Sequence, residues 1–187
     1  LSGLEVRRVA FRSFRSLISQ MCVGSVLCFL LDTVFDTGRL SVLIIYLFLV
    51  CMCRLMIARM YSRYRERFSP RFWFRLYFTG TELSALVWGG TALFLFPEGF
   101  VESQVFPVAV LAGLVHGAGH NQAPFQGVHS IYAGTVMGPV IIRFLSLGTF
   151  HYQMFALALV FLFAALLVST RRMHRTLMES LDMRFEM

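Results

Sequence analysis

The sequence predicts an all-α integral membrane protein, a bundle of six transmembrane helices with both termini cytoplasmic and the C-terminal helix extending into a coiled coil. Three observations predict it. Hydrophobic residues make up 57% of the 187 and charged residues 14%, with a mean hydropathy of +0.69, a balance foreign to water-soluble domains. A bilayer core about 30 Å thick takes about 20 apolar residues per helix, and stretches of that length follow one another with short polar breaks, leaving no room for a sizeable soluble domain. The arginines gather in three segments, the first two separated by two expected crossings and the last two by four, so that all three fall on one side.

The elements follow in order. A first apolar span, Leu17 to Phe35, comes after the arginine-studded VRRVAFRSFRS, and Asp32, Asp36 and Gly38 mark the turn into a second, Leu40 to Tyr61. SRYRERFSPR interrupts, with Ser69 placed to cap a helix and Pro70 at its first position, and a third span covers Phe72 to Phe96. PEGF turns the chain into a fourth span, Ser103 to His120, and the NQAP break puts Pro124 at the start of a fifth, ending near Leu147. The sixth is Phe150 to Thr170, and the polar stretch after it keeps a helical pattern.

Orientation follows from charge. Arg7, Arg8, Arg12 and Arg15 precede the first span; Arg59, Arg63, Arg65, Arg67 and Arg71 surround the break after the second; Arg171, Arg172, Arg175 and Arg184 follow the sixth. The other turns carry Asp32, Asp36, Glu98 and Glu102 with Arg39 alone. The positive-inside rule then puts both ends in the cytoplasm, which requires an even number of crossings. The net charge of +7 sits beside apolar spans and is thus read as topology, so no nucleic-acid partner is expected. No small-residue cleavage site follows the basic start, so the first span is expected to stay as an anchor. The chain starts at Leu1 and stops within a helical pattern, so it reads as part of a longer protein.

Cys22, Cys28, Cys51 and Cys53 all lie in apolar stretches and read as small buried hydrophobes rather than a disulfide framework. Cys51 and Cys53, two apart on a helix, point about 200° from one another, a poor metal clamp. Gly113 and Gly117 in the fourth span and Gly134 and Gly138 in the fifth are small-xxx-small pairs. They are expected to pack against each other as neighbours in one hairpin, with a dimer interface as the alternative. Pro139 falls inside the fifth span and denies the carbonyl near residue 135 its usual partner.

Polar groups in hydrocarbon are costly, so each is a functional candidate. Arg54, Arg75, Glu82, His116, His120, His129 and Arg143 form that set. Arg75 and Arg143 stand close enough to an interface to snorkel. Glu82 lies roughly 15 Å and Arg54 roughly 10 Å from the cytoplasmic edge at 1.5 Å per residue. A Glu82–Arg54 contact is therefore one expectation, and a neutral, hydrogen-bonded Glu82 the other. His116 and His120 share a helix face at i, i+4, with Asn121 beside them and His129 across the break. The plainer reading is that they cap helix ends at the headgroups. A proton-responsive or small-molecule pocket is the second reading, and metal or haem ligation at His116, His120 or His129 the third. No nucleophile, base and orienter set can be assembled, so the segment offers no catalytic residues. No metal or cofactor is expected. Leu177 and Leu181, extended upstream by Met173, form an amphipathic stripe that wants a partner helix.

Two stretches carry a resemblance. WFRLYFTGTELSALVWGGTALFLFP (Trp73–Pro97) resembles the third span of the multi-pass membrane sensor modules at the N-termini of bacterial diguanylate cyclases and sensor histidine kinases, and RRMHRTLMESLDMRFE (Arg171–Glu186) is similar to the helix leading from that module to its output domain. The resemblance implies a sensor domain over residues 1–170 in the bacterial inner membrane. It also implies a signalling helix starting at 171–187, a homodimer through that helix, and an output of cyclic-di-GMP synthesis or phosphotransfer beyond residue 187. No GGDEF, EAL or kinase motif lies within the chain, and Glu82 and HGAGHNQAPFQGVH are more polar than that pattern.

The function expected is that of a membrane-embedded sensory input. It perceives a small apolar or amphipathic ligand, or the state of the bilayer, near Glu82, Arg54, His116, His120, Asn121 and His129, and relays it through Leu177 and Leu181. The alternatives are a small transporter or channel with a proton or ion path along Glu82 and the histidines, and a haem- or metal-binding membrane protein.

Overall fold

A computed structural model of the chain describes residues 37–64, 66–94, 101–122 and 125–185. The expected first span, Leu17 to Phe35, lies outside them with Cys22, Cys28 and the amino-terminal arginines, as does Pro124. The described residues form five helices and no strand: α1 (Thr37–Tyr64), α2 (Pro70–Phe94), α3 (Val101–Gln122), α4 (Gln126–Ser146) and α5 (Phe150–Phe185). Three are long and apolar enough to cross a membrane, over Ile44–Tyr64, Gly127–Ser146 and Phe150–Ser180. In α2 and α3, Gly, Ser, Thr, His and Gln dilute the apolar residues.

Helix ends fall where the turn chemistry puts them. The Ser69 hydroxyl accepts from the backbone N–H of Phe72 at 3.3 Å, and Pro70 opens α2, a position where its missing donor costs nothing. Gly148 turns the chain between α4 and α5 at φ +71°, a left-handed conformation that glycine adopts without steric cost, and its N–H bonds the carbonyl of Leu145 at 3.3 Å. Beyond Thr170, where the sixth span was expected to end, the backbone stays helical: α5 is one helix of 36 residues.

The core is built around α4, which packs against α2, α3 and α5, while α1 lies on α2 and α3 also touches α5. Tyr132, Val136 and Val140 are fully buried on one stripe of α4, the i, i+4 spacing that stacks side chains on a face. They belong to one apolar cluster with Trp88 from α2, Leu111 and Val115 from α3, and Leu159 from α5. The outside is apolar too: Ile45 on α1, Ile142 on α4 and Phe161 on α5 are each more than 60% exposed. Apolar surface of that extent is compatible with lipid and not with water.

Ring contacts place the turns. Phe125 lies 5.3 Å from Phe74 and 5.8 Å from Tyr77, and Tyr61 meets Trp73 at 5.1 Å. The α1–α2 turn and the α3–α4 turn therefore share one end of the bundle. Phe144 meets Tyr152 at 5.8 Å and Phe155 at 5.9 Å at the other end.

The small-residue pairs do not behave as their spacing suggested. A Cβ built on Gly113, Gly117, Gly134 or Gly138 meets nothing within 4 Å, so these pairs do not bring α3 onto α4. The close approach is made by Gly89 of α2, where a Cβ would run into the carbonyl of Thr135 and lie 3.3 Å from Cγ of Pro139. Pro139 has no N–H to offer the carbonyl four residues back, and that carbonyl faces the Cα of Gly89 instead, a geometry suited to a Cα–H···O contact. Spacing marks which glycines are near one another on a helix; it does not say which face meets a neighbour.

Gly89→Ala is expected to lower the thermal midpoint in detergent, with a cost of about 1–3 kcal/mol from overpacking against backbone. Gly113→Ala should leave the midpoint unchanged or slightly raised, since alanine is the better helix former. Equal midpoints for the two variants would remove the close approach at Gly89.

Candidate functional site

Glu82 sits on the face of α2 that meets α4. Thr135 donates its hydroxyl to Oε2 of Glu82 at 3.3 Å, and the other carboxyl oxygen, Oε1, is buried with no hydrogen-bond partner. Gly89 is two turns further along α2, at i+7, so Thr135 serves both positions: its hydroxyl goes to Glu82 and its carbonyl lies against Gly89.

Arg54 of α1 goes elsewhere. Its Nη1 donates to the hydroxyl of Ser84 at 3.2 Å, and Ser84 in turn donates to the carbonyl of Gly80 at 3.2 Å. Gly80 leaves room for the arginine stem, since a Cβ there would lie 3.4 Å from Cγ of Arg54. The expected Glu82–Arg54 contact is not formed, because depth was the wrong criterion. Ser84 and Glu82 are two residues apart on α2 and point about 200° from one another, so one faces α1 and the other α4. The hydrogen-bonded alternative for Glu82 is the arrangement present. Tyr132, on the buried stripe of α4 and one turn before Thr135, is fully buried, its hydroxyl without a hydrogen-bond partner. Buried polar atoms left unmet in hydrocarbon are costly enough to mark a place where a polar guest or water is accommodated.

The histidines separate into two environments. His116 and His120 are both exposed on α3, their rings edge-on at 5.2 Å, with Nδ1 of His120 at 3.3 Å from the carbonyl of His116. Asn121 continues α3, its side chain outside the described set. His129 is buried at the start of α4, its Nδ1 3.2 Å from Oε1 of Gln122. An amide oxygen only accepts, so this pairing assigns the ring proton to Nδ1 and leaves a bare Nε2. That nitrogen is buried and unpartnered. It faces Gly119 of α3, where a Cβ would lie 3.6 Å from Nε2 and 2.9 Å from the hydroxyl of Thr170 on α5. Three helices meet there, at the point where α5 passes from apolar sequence to Arg171 and Arg172.

Among the described residues, no three His, Cys, Asp or Glu side chains come together as metal ligands. Cys51 is buried and Cys53 exposed, both as free thiols, on opposite sides of α1 as their spacing requires. Arg75 is exposed and Arg143 half-buried. Leu177 and Leu181 lie in the helical run of α5 beyond Thr170.

Thr135, Ser84, Gln122 and Thr170 are the participants that sequence reading missed. Serine and threonine carry little signal in a span because they can return a hydrogen bond to their own helix, as Thr170 does to the carbonyl of Leu166 at 3.0 Å. Gln122, next to the noted Asn121, was the one with a visible mark.

Thr135→Val removes the donor to Glu82 while keeping shape, and is expected to cost about 1–3 kcal/mol, the penalty of an unmet buried acceptor. Glu82→Gln keeps an acceptor for Thr135 and should cost less. Thermal or chemical unfolding in one detergent orders the two, and the reverse order would show that Glu82 does not depend on Thr135.

Comparison with known proteins gives no matching family model, no similar curated protein and no solved structure of similar fold.

Proposed function

We propose that the chain is a six-span sensory input module of a bacterial inner membrane, with both termini cytoplasmic. In this reading it perceives a small apolar or amphipathic ligand, or the state of the bilayer, along the polar seam at Glu82, Tyr132 and Thr135. It passes the change through α5 to an output domain, a diguanylate cyclase or a histidine kinase, with α5 pairing in a homodimer. The observation that carries the reading is the continuity of α5. At 1.5 Å per residue its 36 residues run about 54 Å, well past a core about 30 Å thick.

Two features support it. An unbroken helix transmits a shift or rotation where a flexible link would dissipate it. The junction of Gly119, His129 and Thr170 ties α5 to α3 and α4 at its exit, so rearrangement around α4 bears on the helix where it leaves the bundle. The seam and the relay meet on α4, which touches both α2 and α5.

In the full-length protein, Leu177→Ala combined with Leu181→Ala is expected to uncouple stimulus from output activity while leaving basal turnover and expression unchanged. Regulation that survives both changes would falsify the relay. Topology is checked by placing single cysteines at Arg65→Cys and Ser180→Cys in a background free of the native thiols. Both should label from the cytoplasmic side with a membrane-impermeant maleimide, and labelling from opposite sides would defeat the N-in, C-in arrangement.

A further inference from the structure

The tip of the α1–α2 hairpin carries arginines at every fourth position: Arg59 and Arg63 on α1, Arg67 in the turn, Arg71 and Arg75 on α2. All five are exposed, and Glu66 is the one carboxylate in the sequence from Arg59 to Arg75. Arg63 lies 5.9 Å over the ring of Tyr64. Arg59 and Arg75 each stand five residues inside the tip, about 8 Å along their helices, on surface that is otherwise apolar. Met60, Phe68, Phe72 and Phe74 between the arginines, and Met56 just before them, are each at least 40% exposed. The backbone beneath is held firmly: Trp73 is met edge-on by Tyr61 at 5.1 Å, Phe68 at 5.9 Å and Phe72 at 5.4 Å.

Guanidiniums interleaved with exposed Phe and Met suit a boundary, with charge on one side and hydrocarbon on the other. The arrangement matches an anion with apolar material directly beneath it. All seventeen basic residues of the chain are arginine, whose planar fork takes two phosphate oxygens at once where lysine offers a point charge. We propose that this hairpin tip is a binding surface for anionic phospholipid. The guanidiniums of Arg59, Arg63, Arg67, Arg71 and Arg75 hold headgroup phosphates, and the intervening Phe and Met side chains sit among the upper acyl chains. The ring cluster around Trp73 keeps the two rows of arginine at a fixed separation. The surface is independent of any relay through α5.

The test uses the full chain purified in a mild detergent and offered an equimolar mixture of phosphatidylglycerol and phosphatidylcholine of identical acyl chains, with retained lipid read by native mass spectrometry. Preferential retention of phosphatidylglycerol is expected; equal retention of the two overturns the proposal. Arg67→Gln with Arg71→Gln should weaken that retention by roughly fivefold per arginine removed, from about 1 kcal/mol each near an anionic surface. Arg171→Gln with Arg172→Gln, arginines of α5, should leave most of it, and an equal loss from both pairs would mean pooled charge rather than a surface. Lysine at Arg67 and Arg71 keeps the charge and the fold, and should still lose part of the preference; full retention would remove the role of the fork. Glycerol phosphate, a headgroup without acyl chains, should not displace the lipid at equal concentration, and displacement would reduce the surface to a plain anion site.

Discussion

The contact between α2 and α4 at Thr135 is the constraint on which the rest of the bundle depends. Inside a bilayer no hydrophobic effect drives helices together, so close packing and hydrogen bonds must do it. Pro139 withholds an N–H from the carbonyl of residue 135, and Gly89, lacking a side chain, lets that carbonyl come against its Cα. Once the backbones are that close, the Thr135 hydroxyl reaches Glu82 two turns away on the same face. One threonine thus meets one oxygen of a carboxyl group whose other oxygen stays unpartnered, and it fixes the rotation of α2 relative to α4.

That rotation distributes the remaining polar groups. With Glu82 turned to α4, Ser84 faces α1 and takes Arg54. α4 is therefore packed on several sides, with Tyr132, Val136 and Val140 fully buried, whereas α1 and α5 keep broad apolar faces open to lipid. A central helix touching both a polar seam and the exit helix is a geometry in which a local change at one site alters packing at the other, because close-packed interiors switch between arrangements rather than deform smoothly.

The two ends of the bundle differ in chemistry. At one, Gly148 makes a tight turn over aromatic contacts of Phe144. At the other, arginines, a ring cluster and a buried imidazole gather where α5 departs. Arginine gathered at one end of an apolar bundle is the kind of asymmetry that orients membrane proteins.

The order of the five described helices was legible in the sequence, because an apolar run and a Ser-Pro or Gly break are local features that need no neighbour, and three of the five are long and apolar enough to cross hydrocarbon. The continuation of α5 past Thr170 was legible for the same reason. The partners were not. Depth along a helix can be counted, but in an environment apolar on every side no amphipathic stripe reports which way a residue turns. Tertiary structure alone decided that Glu82 meets Thr135 rather than Arg54, and that Gly89 rather than the Gly113 and Gly134 pairs makes the close approach. It alone decided that His129 is enclosed while His116 and His120 face outward. Azimuth is set by contact between helices, and contact is a property of the folded chain.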